Sequence, residues 1–450
     1  MTQTRFVLRL ERDFGLLYDR QRHEYTRLSD PETFLLAGVD RMGFVSCEAA
    51  LVSTYGVERA SSVIESTRSA GLLGSDGSFD GRVVEVPSSN GTFGAPLAAH
   101  IGLTTACNFA CRHCYSRSGP KSPNELTRAE IEGILDELAA MGCQQLVFGG
   151  GEPFLRKDLP QLVARAGALG LDSYVHTNAT LITKNMLTAL SAWPPTGLTI
   201  SLDGSRPDVN DRVRGDGTFS STIEAMRMVR SEYTPGFAIS MTVTSANHFD
   251  TVEMVELAKR EGASLLLLRP PFPAGNLLDS RALMVDLPTF WAAVGVAKRR
   301  GAEIGLAVNS PEEGGAVLPT DFDGFGCIAG HVVLGITPTG DVTPCLNLPD
   351  SYVGGNIRSS SVLEIWHSGS SFTELRAVQP NEDCASCEHY EVCRGGCRIR
   401  AIDAGNGVSG RDTWCYKEVG RGVTAFGSHG SAAELRAIGA RLPSKLPILA

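Results

Sequence analysis

From about residue 98 to residue 270, short apolar runs alternate with longer stretches in which apolar positions recur every three or four residues. The runs AHIGLTT (99–105), QQLVFGG (144–150), DSYVHTN (172–178), GLTISLD (197–203), FAISMTV (237–243) and SLLLLRP (264–270) predict strands. Between them, TRAEIEGILDELAAMG, LPQLVARAGALG, TKNMLTALSAW, STIEAMRMVRSEY and TVEMVELAKREG predict helices. Strands apolar throughout, each followed by a helix, imply a parallel sheet covered by its helices. Six such units make a partial (β/α)6 barrel, an α/β fold placed over residues 96–310. Ligands of such folds sit at the carboxyl ends of the strands, where this chain places its polar and Gly-rich loops.

The flanking regions have other periods. RFVLRL and GLLYDRQRHEYTRL read as short strands, and PETFLLAGVD, CEAALVSTYG and VERASSVIESTRSAGLL as helices. A Gly- and Ser-rich turn, GSDGSFDGRVVEV, follows. This predicts a small winged-helix-like domain over residues 1–95, ending in the linker PSSNGTFGAP. Beyond the Pro-rich RPPFPAGNLLD and a helix near LPTFWAAVGVAKRR, residues 311–420 are loop-rich and cysteine-rich, and residues 421–450 form an Ala-rich helical tail.

Charge and cysteine content narrow the chemistry. A net charge of -9 over 450 residues repels a phosphate backbone, which argues against nucleic acid as partner. The charged N-terminal stretch does not read as a signal peptide, and no apolar run is long enough to span a membrane, so a cytoplasmic protein without a membrane partner is expected. In a reducing compartment the clustered ones among the 12 cysteines read as metal or redox ligands rather than disulfides. Cys47 and Cys143 stand alone and read as buried apolar side chains.

Cys107, Cys111 and Cys114 fall on the loop after the first barrel strand, three thiols able to wrap one metal centre while a coordination position stays open. Structural zinc needs a fourth ligand, and His113 is poorly placed to join the same tetrahedron; a 4Fe-4S cluster tolerates an open iron. The next strand runs into Gly149-Gly150-Gly151-Glu152-Pro153, on the neighbouring loop. Together, Cys-x3-Cys-x2-Cys followed by Gly-Gly-Glu-Pro resembles the signature of the radical S-adenosylmethionine (radical SAM) superfamily. That resemblance implies that Cys107, Cys111 and Cys114 hold a 4Fe-4S cluster whose free iron binds S-adenosylmethionine. It implies His113 near the adenine, Gly150, Gly151 and Glu152 at the methionine amino group, and Asn178 at the ribose, although Ala179 stands where the family more often has Gly. Ser201 and Arg214 resemble positions that bind the cofactor's hydroxyls or carboxylate. Asp203 and Arg212 read equally well as a salt bridge or a substrate contact, and Leu268 as core packing or an adenine shield. One-electron cleavage of the sulfonium would give a 5'-deoxyadenosyl radical that removes a hydrogen atom from an unactivated carbon.

The late cysteines are spaced Cys327-x17-Cys345, then Cys384-x2-Cys387-x5-Cys393-x3-Cys397, then Cys415. By spacing alone they could hold two metal sites, zinc included. With Gly340 before Pro344-Cys345, the pattern resembles the SPASM extension of radical SAM enzymes. That implies an outer auxiliary cluster on Cys384, Cys387, Cys393 and Cys415 and an inner one on Cys327, Cys345 and Cys397, three 4Fe-4S clusters in all. His331 is a candidate fourth inner ligand, better read as structural, and Val333 and Leu334 stand where some relatives have an extra cysteine. The stretch GLLYDRQRHEYTRL resembles the strand pair of peptide-recognition domains, which hold a leader peptide by strand addition. The expected function is a radical SAM/SPASM maturase of a ribosomally made precursor peptide, fed by an external donor such as flavodoxin or ferredoxin and yielding a cross-link or an oxidised residue. The alternative is a sulfatase-maturase-like dehydrogenase acting on a protein side chain or small molecule. A zinc-bound or electron-transfer protein is the non-enzymatic competitor, separated by iron and sulfide content.

Overall fold

The computed structural model describes residues 4–87, 93–194, 197–310, 327–387 and 390–415. The start of the predicted cysteine-rich region (311–326) and the predicted helical tail lie outside the described residues.

The front unit comprises β1 (Phe6–Leu10), β2 (Gly15–Asp19), β3 (Glu24–Leu28), α1 (Asp30–Met42), α2 (Phe44–Tyr55), α3 (Val57–Ser69) and β4 (Gly81–Glu85). GLLYDRQRHEYTRL is a full hairpin, β2–β3, and the last strand joins the sheet parallel to β1, giving the order β3-β2-β1-β4. The three helices are thus the crossover between β1 and β4. They bury Leu35, Leu36, Cys47, Leu51, Ala60 and Ile64 against Phe6, Leu8 and Leu17, each large aliphatic contributing about 1.5–3 kcal/mol.

The barrel strands are β5 (Ala98–Gly102), β6 (Gln145–Gly149), β7 (Asp172–Thr177), β8 (Gly197–Ser201), β9 (Ala238–Thr242), β10 (Leu265–Arg269) and β11 (Ala307–Asn309), all in parallel pairs. The helices are α4 (Arg128–Ala140), α5 (Leu159–Ala168), α6 (Lys184–Ser191), α7 (Pro207–Arg214), α8 (Thr218–Glu232), α9 (Thr251–Glu261) and α10 (Leu287–Ile304). The six predicted strands and the helices between them form where expected. The short polar α7 and the three-residue β11 were not foreseen. In α4, Thr127 and Glu130 close a capping box, and Ile131, Ile134, Leu135 and Leu138 make one buried stripe.

The C-terminal region continues the same sheet. β12 (Val333–Ile336) pairs parallel with β5, and β13 (Asp341–Thr343) and β14 (Gly355–Asn356) follow antiparallel, so one ten-stranded sheet spans both regions among the described residues. Short helices α11 (Val362–Ser368), α12 (Ser370–Arg376), α13 (Glu382–Ala385), α14 (Tyr390–Cys393) and α15 (Arg398–Asp403) complete it. Val333 and Leu334 are in β12, opposite Ala98 and Ala99.

The front unit closes the amino end of the barrel. Tyr18 donates to Asp172 at the start of β7, where His23 Nδ1 also bonds, and Gln145 at the start of β6 donates to the Tyr18 hydroxyl at 3.1 Å. Tyr25 donates to the Leu97 carbonyl at 3.0 Å. Arg9, fully buried, binds Glu11 at 2.6 Å and the carbonyls of Ala95 and Pro96 at 2.8 and 2.9 Å. Buried charges of this kind persist only when paired and hydrogen-bonded.

Candidate active site

The mouth of the barrel is assembled from the loops after β5, β6, β7 and β8. Cys107, Cys111 and Cys114 lie on the first. Burial raises the Cys107 thiol, with Glu152 and then Cys114 adding to the effect, and burial pushes Cys111 up to about 12, with Asp203, Cys114 and Cys107 contributing; among the described residues no three His, Cys, Asp or Glu side chains are drawn together tightly enough to hold a metal ion by themselves. Neighbouring thiols that resist ionisation alone are stabilised as thiolates by a cationic centre.

The loop after β6 lies directly on the thiol loop. Gly150 has φ +111°, and a Cβ there would stand 2.6 Å from the Thr104 carbonyl oxygen; one on Gly151 would stand 1.9 Å from that of Ala106. Only glycine permits this approach. The amides of Gly151 and Glu152 donate to those loop carbonyls, at 2.7 Å to Thr104 and 2.8 Å to Ala106. The Glu152 side chain is buried and accepts from Thr177 Oγ1 at 2.6 Å, the Asn178 amide at 2.8 Å and the Phe154 amide at 3.0 Å. Burial raises its pKa, while these donors favour the ionised form.

Asn178 is oriented by Asn108, which accepts from its Nδ2 at 2.9 Å, and by Thr180, whose hydroxyl donates to its Oδ1 at 2.7 Å. Ala179 adopts φ +66°, the conformation for which glycine is the usual residue. Ser201 ends β8. The Asp203 carboxylate, fully buried, lies 3.0 Å from His113 Nε2 and 2.7 Å from Arg214 Nε, and Arg214 Nη1 lies 4.0 Å from Cys111 Sγ. Burial opposes ionisation of Asp203, but Arg214 and His113 outweigh it and hold the carboxyl at about 2. Asp203 thus takes the salt-bridge reading, and His113 and Arg214 are bound to it. Arg212 is exposed, and Leu268 is wholly within the core.

The seven late thiols form two groups. Cys327, Cys345 and Cys397 pack around Ala329, Leu348, Leu375 and Ile399, against Phe272 from the segment after β10. The Cys384 thiol is raised by burial and then by Cys415 and Cys387; that of Cys393 is raised by burial, with Cys415 and Cys384 among the lesser causes. Asp412 braces the two groups, accepting from the Cys397 amide at 2.7 Å, from Arg400 at 2.7 Å and from the Trp414 amide at 2.9 Å. His331 bonds to the backbone of Leu375, which fits its structural reading.

The motif-based reading passed over the interior of the barrel. His100, His176, Tyr115 and Arg269 gather there, with ring centroids 6.2 Å apart for His100–His176 and again for His100–Tyr115. The signal was present: each of the two histidines and Arg269 occupies an inward position of a strand that is otherwise apolar on its outer face.

Comparison with known proteins agrees with this geometry. The family model described as the radical SAM superfamily matches residues 101–258, and the iron-sulfur cluster-binding SPASM domain matches residues 327–389. The mycofactocin maturase MftC of Mycobacterium tuberculosis is 34% identical over 332 residues, covering 72% of this chain and 83% of its own. The PqqA peptide cyclase of Rhodopseudomonas palustris is 30% identical over 343 residues, covering 72% and 88%. The crystal structure of Streptococcus suis SuiB bound to S-adenosylmethionine superposes with a TM-score of 0.73 at 19% identity, over 92% of this chain and 99% of that one, so the shared fold includes the front unit. The chain belongs to the radical SAM superfamily, among the SPASM-bearing enzymes that include the mycofactocin maturases.

Proposed function

We propose that this radical SAM enzyme modifies a ribosomally synthesised precursor peptide, removing a hydrogen atom from one residue to give a cross-link or an oxidised residue. The observation that carries the reading is the meeting, at one barrel mouth, of three neighbouring thiols with the glycine-lined Glu152 loop. SuiB has been crystallised bound to its precursor peptide SuiA, and MftC and the PqqA cyclase are named for peptide maturation.

Cys107, Cys111 and Cys114 would hold one 4Fe-4S cluster, Cys327, Cys345 and Cys397 an inner auxiliary cluster, and Cys384, Cys387, Cys393 and Cys415 an outer one. With S-adenosylmethionine bound, the first centre supplies hydrogen-atom abstraction from an unactivated carbon. The protein's own part is positioning and exclusion of water. Gly150 and Gly151 let the β6 loop close on the thiol loop and would leave its backbone within reach of the cofactor, and Glu152, fixed by three donors, would offer a carboxylate to its amino group. Asn178, whose amide orientation is set by Asn108 and Thr180, would meet the ribose. Ser201 lines the same mouth, and the His113–Asp203–Arg214 brace backs Cys111. The inner thiol group stands beside the segment leaving β10, close to the barrel, and suits removal of an electron from the substrate. An external donor of the flavodoxin or ferredoxin class would resupply the first cluster.

The front unit presents β3, which pairs with β2 on one side and, among the described residues, leaves its other edge open. Leader-peptide addition at that edge would place the peptide next to the barrel. The test is anaerobic reconstitution followed by incubation with reductant, S-adenosylmethionine and synthetic peptides matching the short open reading frames that neighbour the gene. About twelve irons per chain and a peptide lighter by two hydrogens are expected. Zinc without sulfide, or 5'-deoxyadenosine formation with no peptide modified, would overturn the reading. Thr26→Pro in β3 should weaken peptide binding at least roughly tenfold while leaving peptide-independent cofactor cleavage unchanged.

A further inference from the structure

The segment leaving β10 reaches across the barrel mouth to the first thiol loop. Four strands separate β10 from β5 in the sheet, yet Asn276 bonds to the backbone of two cysteines on the loop that follows β5. Its main-chain amide donates to the Cys114 carbonyl at 2.8 Å, and its side-chain Nδ2 donates to the Cys111 carbonyl at 3.0 Å. Gly275 makes the approach possible. It has φ +56°, and a Cβ there would stand 2.2 Å from the Cys114 carbonyl oxygen and 2.3 Å from that of Tyr115, so a larger residue would push the two segments apart.

The other end of the same segment seats on the inner thiol group. Phe272 packs against the apolar cluster that also receives Cys327, Cys345 and Cys397, and the Arg400 guanidinium lies 5.8 Å from the centroid of its ring. Pro270, Pro271 and Pro273 surround Phe272 in sequence and are buried. Each fixes its own φ and restricts the residue before it, so the stretch from β10 to Gly275 has few ways to bend. Leu277, also buried, anchors the turn Gly275–Leu278 that follows. A displacement at Phe272 is therefore passed on to Asn276 rather than absorbed between them.

We infer that Asn276 is a positioning residue for the first thiol group, gripping the backbones of Cys111 and Cys114 from a proline-stiffened strap that Phe272 seats against the inner group. Cys107 is held separately, its amide donating to the Gly119 carbonyl at 3.0 Å. All three cysteine backbones are thus fixed by the protein itself. Groups that orient the ligands of a metal centre change its affinity or activity by about 10–100-fold when they are lost. The inference rests on the proposed function only in taking these three thiols as the seat of the first cluster.

The test compares three substitutions in the full chain. Asn276→Leu keeps the bulk of the side chain and removes its donor, and Phe272→Ala removes the packing on the inner group. Asp279→Asn is the control: it breaks an exposed pair with Arg117 just past the same turn, a contact worth little. In the metal-free protein, hydrogen–deuterium exchange of residues 107–117 should quicken about tenfold in Asn276→Leu, the equivalent of one hydrogen bond. Phe272→Ala should quicken the same residues, and Asp279→Asn should match the parent. After anaerobic reconstitution, the electron paramagnetic resonance signal of Asn276→Leu should respond to S-adenosylmethionine only at about tenfold higher concentration. Should Asn276→Leu not fold, Asn276→Ser removes the same bond with a smaller polar side chain. Exchange unchanged without the Asn276 donor, or quickened as much by the control, would overturn the positioning role; exchange indifferent to Phe272→Ala would overturn the link to the inner group. The exchange measurement needs neither cluster nor peptide, so its failure is distinct from failure of peptide modification, which the incubation above reads separately.

Discussion

The two ends of the barrel are built from similar residues for opposite purposes. At the amino end, Tyr18, His23, Gln145 and Asp172 bond to one another, and Arg9 and Glu11 fill a buried pocket with the linker carbonyls. Polar groups there are spent on holding the front unit. At the carboxyl end, the backbone of the β6 loop is tied down while three thiols stay out of any disulfide and His176 Nε2, among the described residues, has no hydrogen-bond partner. In parallel barrels, chemistry concentrates at the carboxyl end and stability at the amino end. Substitutions at the mouth should therefore register in cofactor cleavage, whatever they also cost in stability, and substitutions at the floor should register in stability alone.

The largest expected effect is at the mouth. Cys107→Ala should reduce 5'-deoxyadenosine formation to background, by at least about 10^3-fold if the removed thiolate is as necessary as a metal ligand, while the thermal midpoint of the metal-free protein stays near that of the parent. Persistence of cofactor cleavage would break the assignment of that loop. Next, Glu152→Gln exchanges an acceptor of three donors for an amide that cannot accept from all of them. Cofactor cleavage should fall about 10–100-fold, with a stability loss of about 1–3 kcal/mol; a change in melting alone would move Glu152 from the mouth to the scaffold.

Asp203 sharpens the comparison through pH. Its folded pKa, about 2, lies below the unfolded value near 3.8. The stabilisation is therefore fully present above about pH 4 and lost as pH falls through about 2. Acid unfolding of the metal-free protein should show this loss, on the order of 2 kcal/mol, and Asp203→Asn should remove that acid dependence. The smallest effect belongs to the floor: Tyr18→Phe should cost about 1 kcal/mol of stability, read by denaturant unfolding, and leave cofactor cleavage within about twofold. A large catalytic defect there would show that the two ends are coupled.

Most of this architecture was readable because alternation and helical spacing are strong where cores are thick. The strands of the barrel and α4, α5, α6, α8 and α9 each carry an apolar stripe. What escaped notice lacks that stripe. α7 buries Val209 and Val213 among charged residues, so its pattern reads as a loop, although it carries Arg214. β12 was read for the spacing of its flanking cysteines and not for its pairing, because partnership with β5 across more than two hundred residues leaves no local trace. The thiol groups were legible as motifs, whereas the brace joining His113, Asp203 and Arg214 required the loop after β5, the end of β8 and the end of α7 to be brought together. Sequence spacing finds groups that lie on one loop; it finds poorly those that meet only after folding.

The ladder from β12 to β5 has a mechanical corollary. β5 leads into the loop bearing the first thiols, and Cys327 stands a short loop ahead of β12, so both thiol-bearing regions hang from adjacent rows of one hydrogen-bonded backbone. Any centres they carry would keep a constant separation while a bulky substrate enters and leaves. The placement of one region against the other would then follow strand register, which side-chain rearrangement does not alter.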